Sequence, residues 1–86
     1  MSITIYTTPT CPYCAAAKTL LGNKRAGFTE IDVSTQPELR EEMMKRSGRR
    51  TVPQIFIGTT HVGGYDDLAA LDGAGKLETL LQEHRK

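Results

Sequence analysis

Two cysteines, Cys11 and Cys14, are the only ones in the 86-residue chain, and Pro12 and Tyr13 separate them. Thiols at this spacing can close reversibly into a small disulfide. In the reduced pair one thiolate attacks a substrate, and the other sulfur then resolves the mixed disulfide by attacking the first. Pro12 suits the first position of a helix, which puts Cys11 at the N-cap. There the positive end of the helix dipole favours a thiolate. We therefore predict Cys11 as the nucleophile and Cys14, one turn deeper, as the resolving thiol.

The composition is that of an ordinary soluble globular protein. Hydrophobic residues make up 38% of the chain and charged residues 24%, and the formal net charge is +1. A nearly neutral chain argues against partners that are recognised mainly by charge, so we expect neither nucleic acid nor membrane binding. The length suits one small domain over residues 1–86, for which a monomer is the default.

The first residues and the histidines bear on compartment and metal binding. Residues 1–6 contain no basic region and no long apolar segment, so we expect a cytoplasmic protein. In that reducing compartment a close cysteine pair favours redox activity or metal binding over a structural disulfide. Two thiolates cannot complete a four-thiolate zinc site, and His61 and His84 lie at no recognisable ligand spacing from them. We therefore expect no metal, and we place both histidines on the surface.

The elements that must position the cysteines are a strand, a helix and a second strand. The alternating run Ser2–Tyr6 predicts the first strand. The helix that begins at Pro12 is predicted to end near Gly27, and Phe28–Val33 predicts the next strand. A strand, a crossover helix and a strand make a βαβ unit, whose strands are parallel.

The next helix and two short strands follow this unit. Thr35 and Glu38 predict a capping box for a helix that ends at Gly48. Its charged residues are predicted to lie on a solvated face: Glu41, Glu42, Lys45 and Arg46. Gln54–Ile57 and Thr60–Val62 predict an antiparallel hairpin with a type II′ turn at Gly58-Thr59.

The last third of the chain predicts a helical region that is divided in two. Asp66 and Asp67 open it, and Gly73 and Gly75 interrupt its apolar pattern. The whole order is β-α-β-α-β-β-α, with the last helix split. It predicts an α/β fold, in which helices flank one mixed four-stranded sheet.

Four separated segments resemble the dithiol glutaredoxins, most closely the small bacterial type. These segments are Cys11-Pro12-Tyr13-Cys14, Thr51-Val52-Pro53, Gly63-Gly64 and Asp66-Asp67. The resemblance implies a thioredoxin fold and glutathione as the reducing co-substrate. It also implies a glutathione-dependent oxidoreductase that reduces glutathione mixed disulfides and protein disulfides, with ribonucleotide reductase as a family-level partner.

The resemblance also implies a glutathione site. Its residues would be Tyr13, Arg49, Thr51, Val52, Pro53, Gly64, Tyr65 and Asp66. In the family this proline is cis and faces the cysteines, which leaves the Val52 backbone free to pair with glutathione like an added strand. Asp66 would receive the ammonium of the γ-glutamyl end, and Asp67 is predicted to cap the helix.

One position departs from the family pattern. Many relatives carry a lysine three residues before the first cysteine, and here that position is Thr8. We expect Arg49 to bind the glycyl carboxylate of glutathione in its place, because a guanidinium can bind a carboxylate with two hydrogen bonds. We also expect the Cys11 thiolate to be stabilised less than in lysine-bearing relatives.

Two alternatives remain at this point. The first is an iron–sulfur carrier, in which two chains share a cluster through one cysteine each and two glutathiones. Pro12 and Tyr13 differ from the Gly-Phe pair typical of relatives specialised for that role. The second is a thioredoxin-like protein disulfide reductase, although the tryptophan usual before its cysteines is absent here.

Overall fold

The computed structural model describes residues 3–83 as an α/β fold with four strands and four helices. The elements in chain order are β1 Ile3–Thr7, α1 Pro12–Asn23, β2 Thr29–Asp32, α2 Pro37–Ser47, β3 Gln54–Ile57, β4 Thr60–Gly63, α3 Tyr65–Gly73 and α4 Lys76–Glu83. This order confirms the predicted one, including the divided last helix. Ser2 and His84 lie outside the described residues, so the predictions made for them remain predictions.

The sheet is mixed and has the strand order β2-β1-β3-β4. β1 is parallel to β2 and antiparallel to β3, and β3 is antiparallel to β4. The predicted parallel pairing of β1 with β2 and the predicted antiparallel pairing of β3 with β4 are therefore confirmed. Gly58 has a φ of 61°, as a type II′ turn requires at its first central position.

Helices cover both faces of the sheet, so the central strands are buried on each side. Ile5 of β1 belongs to an apolar cluster with side chains from α1, α3 and α4, such as Leu21 and Leu68. Tyr6, the next residue, points to the opposite face and packs with Met43 of α2. Side chains alternate along a strand, and here both sets are buried.

Helix α1 begins as predicted but ends earlier. Pro12 occupies its first turn and Cys11 is the N-cap. The helix ends at Asn23, not near Gly27, because Arg25 adopts a φ of 55° and the Ala26 N–H turns back to the Leu21 carbonyl at 3.0 Å. Residues 24–28 therefore form the connection to β2.

Helix α2 begins differently from the prediction. The expected capping box of Thr35 and Glu38 is wrong, since Gln36 is the N-cap and makes no side-chain capping bond. Pro37 explains this, because its fixed φ and missing N–H suit the first helical position and so set the boundary one residue later. The predicted end is confirmed, with Gly48 in the left-handed conformation at φ 71°.

The four charged residues predicted on the solvated face of α2 are all exposed, and two of them also contact the sheet. The Tyr6 hydroxyl, fully buried, donates to Glu42 at 2.9 Å and accepts from Arg46 at 2.8 Å. The Arg46 guanidinium lies 4.1 Å from the centre of the Phe56 ring, a cation–π contact. These two charged residues therefore tie α2 to the sheet.

In residues 3–83 no helix combines the length and apolar content that crossing a bilayer requires.

Candidate active site

The two thiols occupy different environments although they are one helical turn apart. Cys11 is partly exposed at the N-cap of α1, and the Cys14 N–H donates to its sulfur at 3.2 Å. Cys14 is 1% exposed, and both thiols are free. The N-cap position supplies a backbone donor and the helix dipole to the outer sulfur, which suits a thiolate nucleophile.

The inner thiol holds its proton strongly. Burial raises the pKa of Cys14, and the hydrogen bond with Cys11 raises it further. A thiol with a raised pKa is a poor nucleophile at neutral pH, because only the thiolate attacks a disulfide. The outer sulfur is therefore the better attacking group of the pair.

The segment Thr51-Val52-Pro53 lies beside the outer sulfur. The Val52–Pro53 peptide bond is cis, as the resemblance implied, and the Cys11 sulfur lies 3.7 Å from the Val52 carbonyl oxygen. The start of α3 approaches the same segment, since a Cβ placed on Gly64 would lie 3.4 Å from the Pro53 carbonyl. Distant parts of the sequence thus meet around Cys11.

A cleft of about 300 Å³ opens at this meeting point. All eight residues that the resemblance assigned to glutathione line this cleft, and Asp67 lines it too. The eight are Tyr13, Arg49, Thr51, Val52, Pro53, Gly64, Tyr65 and Asp66. The rings of Tyr13 and Tyr65 lie 6.2 Å apart at 31°, and Tyr13 is 60% exposed. The cleft thus combines aromatic surface, backbone groups and charges of both signs.

An ion pair joins two sides of the cleft. The Arg49 guanidinium lies 3.0 Å from an Asp67 carboxylate oxygen, which also accepts the Gly64 N–H at 3.0 Å. The N–H bond and the Arg49 charge lower the pKa of Asp67. The capping role predicted for Asp67 is confirmed. The pairing with Arg49 was missed, because no local pattern relates residues 18 positions apart.

Thr8 places no charge beside the nucleophile. Its carbonyl accepts the Cys11 N–H at 3.3 Å, so the residue shapes the turn before α1. Arg49 is the cationic residue of the cleft, as expected. Its preference for the glycyl carboxylate remains a prediction, as does the weaker stabilisation of Cys11.

His61 was predicted to lie on the surface, but its side chain is partly buried. It is half-buried, its ring stacks on Phe56 at 4.8 Å, and its Nε2 lies 2.8 Å from the Gln54 side-chain oxygen. Burial, followed by the Arg49 charge, lowers the pKa of His61. β4 pairs with β3 so that His61 lies opposite Phe56, and the short run Thr60–Val62 does not reveal this register.

Metal ligands do not cluster in the described part of the chain. Among residues 3–83 no group of three or more His, Cys, Asp or Glu side chains could hold a metal ion. The expectation that the protein binds no metal remains a prediction.

Comparison with known proteins places this chain in a family. The model of the family described as glutaredoxin matches residues 3–62. A curated glutaredoxin from Pseudomonas aeruginosa is 57% identical over 79 residues, which cover 92% of this chain and 94% of that protein.

Two solved structures bear on ligands. A buckwheat glutaredoxin–glutathione complex is 28% identical, with a TM-score of 0.87 and coverage of 94% of this chain and 76% of that one. A structure described as concerning metal binding of glutaredoxins is 64% identical, with a TM-score of 0.71 and coverage of 93% and 87%. The family match, the identity and the shared thioredoxin fold lead to one conclusion: this chain belongs to the glutaredoxins, which are thiol–disulfide oxidoreductases.

Proposed function

We propose that this chain reduces glutathione mixed disulfides, with Cys11 as the nucleophile and the adjoining cleft as the glutathione site. One observation carries the proposal: the partly exposed, N-capping sulfur of Cys11 stands 3.7 Å from Val52, which lines the cleft. A glutathionyl group seated there would bring its sulfur to Cys11.

The chemistry proceeds by two exchanges. The Cys11 thiolate attacks the glutathionyl sulfur of the substrate, a new sulfur–sulfur bond forms, and the substrate leaves as a thiolate that takes a proton from water. A second glutathione thiolate then attacks the glutathionyl sulfur on Cys11. Oxidised glutathione is released and the Cys11 thiolate is restored. Alternatively, Cys14 attacks Cys11 after losing its proton, which releases glutathione and forms the Cys11–Cys14 disulfide.

Each end of glutathione has a complementary group in the cleft. The Val52 backbone pairs with the glutathione backbone as an added strand would. The γ-glutamyl end carries an ammonium for the exposed Asp66 and a carboxylate for the N–H groups at the start of α3. Arg49 takes the glycyl carboxylate. The rings of Tyr13 and Tyr65 border the bound tripeptide.

The substrates and the cellular compartment of this chain follow from this chemistry. Glutathionylated and disulfide-containing proteins are the substrates, with ribonucleotide reductase as one candidate. A glutathione-rich, reducing cytoplasm would keep the dithiol reduced, since glutaredoxin potentials are about −200 to −230 mV. The chain would act as one domain and as a monomer.

A turnover assay tests the proposal. Wild type, Cys11→Ser and Cys14→Ser are compared in the glutathione-coupled reduction of a glutathionylated peptide. Cys11→Ser should be inactive, while Cys14→Ser should retain turnover because a second glutathione can release the adduct. Loss of this activity in Cys14→Ser would contradict the role assigned to Cys11 alone.

Metal binding is a second candidate, favoured by the 64% identical structure described above. Cys11 could supply one ligand, but the described residues offer no cluster that would complete a site. A shared metal or iron–sulfur cluster would therefore need ligands from glutathione or from a second copy. A visible absorption band in protein purified without air would support this function, and colourless protein would count against a bound cluster.

A further inference from the structure

A buried amide connects β3 and β4 to the wall of the cleft. Gln54, the first residue of β3, is 0% exposed. Its Nε2 donates to the Thr51 carbonyl at 2.9 Å and lies 3.2 Å from the Thr51 hydroxyl. Its Oε1 faces His61 Nε2 at 2.8 Å. Both ends of the amide are thus occupied, as burial of a polar group requires.

The Thr51 carbonyl shows which end of the Gln54 amide carries the nitrogen. If Gln54 were turned over, its oxygen would face the Thr51 carbonyl oxygen, and two acceptors would meet. The amide oxygen must therefore face His61. Since that oxygen can only accept, His61 Nε2 must carry a hydrogen and donate it. The contact fixes one tautomer of the neutral imidazole.

The imidazole is itself held in place from the sheet. His61 is opposite Phe56 in the β3–β4 pairing, and the two rings stack at 28°. The charged side chains that influence His61 are Arg49, Asp67 and Arg46, which come from the α2–β3 connection, α3 and α2. Among residues 3–83 the ring stacks on Phe56 and makes a hydrogen bond with Gln54, which in turn contacts Thr51.

We propose that His61 is a positioning residue of the glutathione site: it orients Gln54, and Gln54 holds the carbonyl and hydroxyl of Thr51. This inference rests on the proposed function, because Thr51 and Val52 are assigned there to the seat of glutathione. Without the histidine donor, the buried Gln54 oxygen would have to turn toward another partner and would release Thr51. His61 would act through these residues without touching the substrate.

Two substitutions separate the donor from the ring. His61→Phe keeps an aromatic ring to stack on Phe56 but removes the N–H. His61→Gln loses the ring but can place an amide N–H near the position of Nε2. Each variant is compared with wild type for KM and kcat on a glutathionylated peptide at saturating glutathione. The rate at which iodoacetamide alkylates Cys11 and the free energy of unfolding are measured in parallel.

We expect His61→Phe to raise KM about threefold to tenfold, the range that corresponds to loss of a single buried hydrogen-bond partner. Its kcat and its alkylation rate should stay within about twofold of wild type, because Cys11 and its N-cap are untouched. His61→Gln should restore KM to within about twofold, since the donor is what matters.

Three results would overturn the inference. One is an unchanged KM in His61→Phe, whatever its stability. Another is a KM raised equally in His61→Phe and His61→Gln. The third is a parallel change in KM, kcat and alkylation rate, which would indicate a general structural role. Failure of wild type to turn over the peptide would instead refute the proposed function, so the two failures are distinguishable.

Discussion

Gly63 allows a direct test of how the start of α3 is built. Its φ of 116° lies in a region that favours glycine, and a Cβ placed on it would run into the Asp67 carboxylate. Gly63→Ala would therefore force an unfavourable backbone conformation. It would also push Asp67 away from the Gly64 N–H and from Arg49. One methyl group thus disturbs both the backbone and the cap.

The expected loss of stability follows from these two effects. A non-glycine residue held at such a φ costs about 1–3 kcal/mol. Losing the cap costs about 1 kcal/mol more. The Arg49–Asp67 pair adds little, because its side chains are 49% and 46% exposed. The expected loss in the free energy of unfolding is therefore roughly 2–4 kcal/mol, compared with a total of about 5–15 kcal/mol for a small domain.

Urea unfolding followed by far-ultraviolet circular dichroism measures this loss, and the slope m should not change. The thermal midpoint should fall by roughly 8–32 °C, since about 4–8 °C corresponds to 1 kcal/mol in a domain of this size. The double variant with Asp67→Ala should lose about 1 kcal/mol less stability than the sum of the single variants, because both single variants lose the same cap and it can be lost only once.

Gly64→Ala is the matched control. Gly64 has an ordinary φ of −91°, and an added Cβ would be 3.4 Å from the Pro53 carbonyl. The free energy of unfolding of Gly64→Ala should fall by less than about 1 kcal/mol. The reasoning is refuted if Gly63→Ala loses less than about 0.5 kcal/mol, the range of an ordinary surface substitution, or if Gly64→Ala loses as much as Gly63→Ala.

Three further predictions concern the charges around the nucleophile. Arg49→Gln should raise KM for glutathione about threefold to tenfold with little change in kcat, because a charge-assisted bond to the glycyl carboxylate is lost; steady-state kinetics measures this. Thr8→Lys should speed iodoacetamide alkylation of Cys11 at pH 6, because a nearby cation favours the thiolate. The stability that the Asp67 charge confers should be full above about pH 5 and lost as the pH falls below about 4; urea unfolding of wild type and Asp67→Asn at several pH values measures it. The sign follows because the pKa of folded Asp67 is lowered below that of the unfolded chain.

Each of these has a control or a contradicting result. Arg50→Gln removes an exposed charge next to Arg49 and should leave KM unchanged; an equal effect would rule out a specific role for Arg49. An alkylation rate that Thr8→Lys leaves unchanged would mean that the N-cap alone sets the reactivity of Cys11. A stability difference between wild type and Asp67→Asn that does not shrink as the pH falls below about 4 would contradict the assigned titration.

Local patterns predicted most of the fold. The alternation in β1, the N1 proline of α1 and the glycine hairpin each determine their element within a few residues, so these elements were foreseen. The start of α2 was misplaced because two local signals competed, and Pro37 prevailed over the capping pair of Thr35 and Glu38.

Contacts between distant segments could not be predicted in the same way. The lining of the cleft was anticipated through family resemblance, because its residues come from three separated parts of the chain. The pairing of Arg49 with Asp67 and the stacking of His61 on Phe56 depend on strand register and helix placement. No single-segment pattern encodes such geometry, and these were the features that sequence reasoning missed.

The unequal burial of the two sulfurs makes the rate of the proposed cycle depend on the supply of reduced glutathione. Because Cys14 is buried and its pKa is raised, the proposed release of the adduct on Cys11 by a second glutathione from solution is favoured over attack by Cys14. Throughput then rises and falls with the concentration of reduced glutathione outside the protein. A chain of 86 residues can thereby match its output to the reducing capacity around it without a separate effector site.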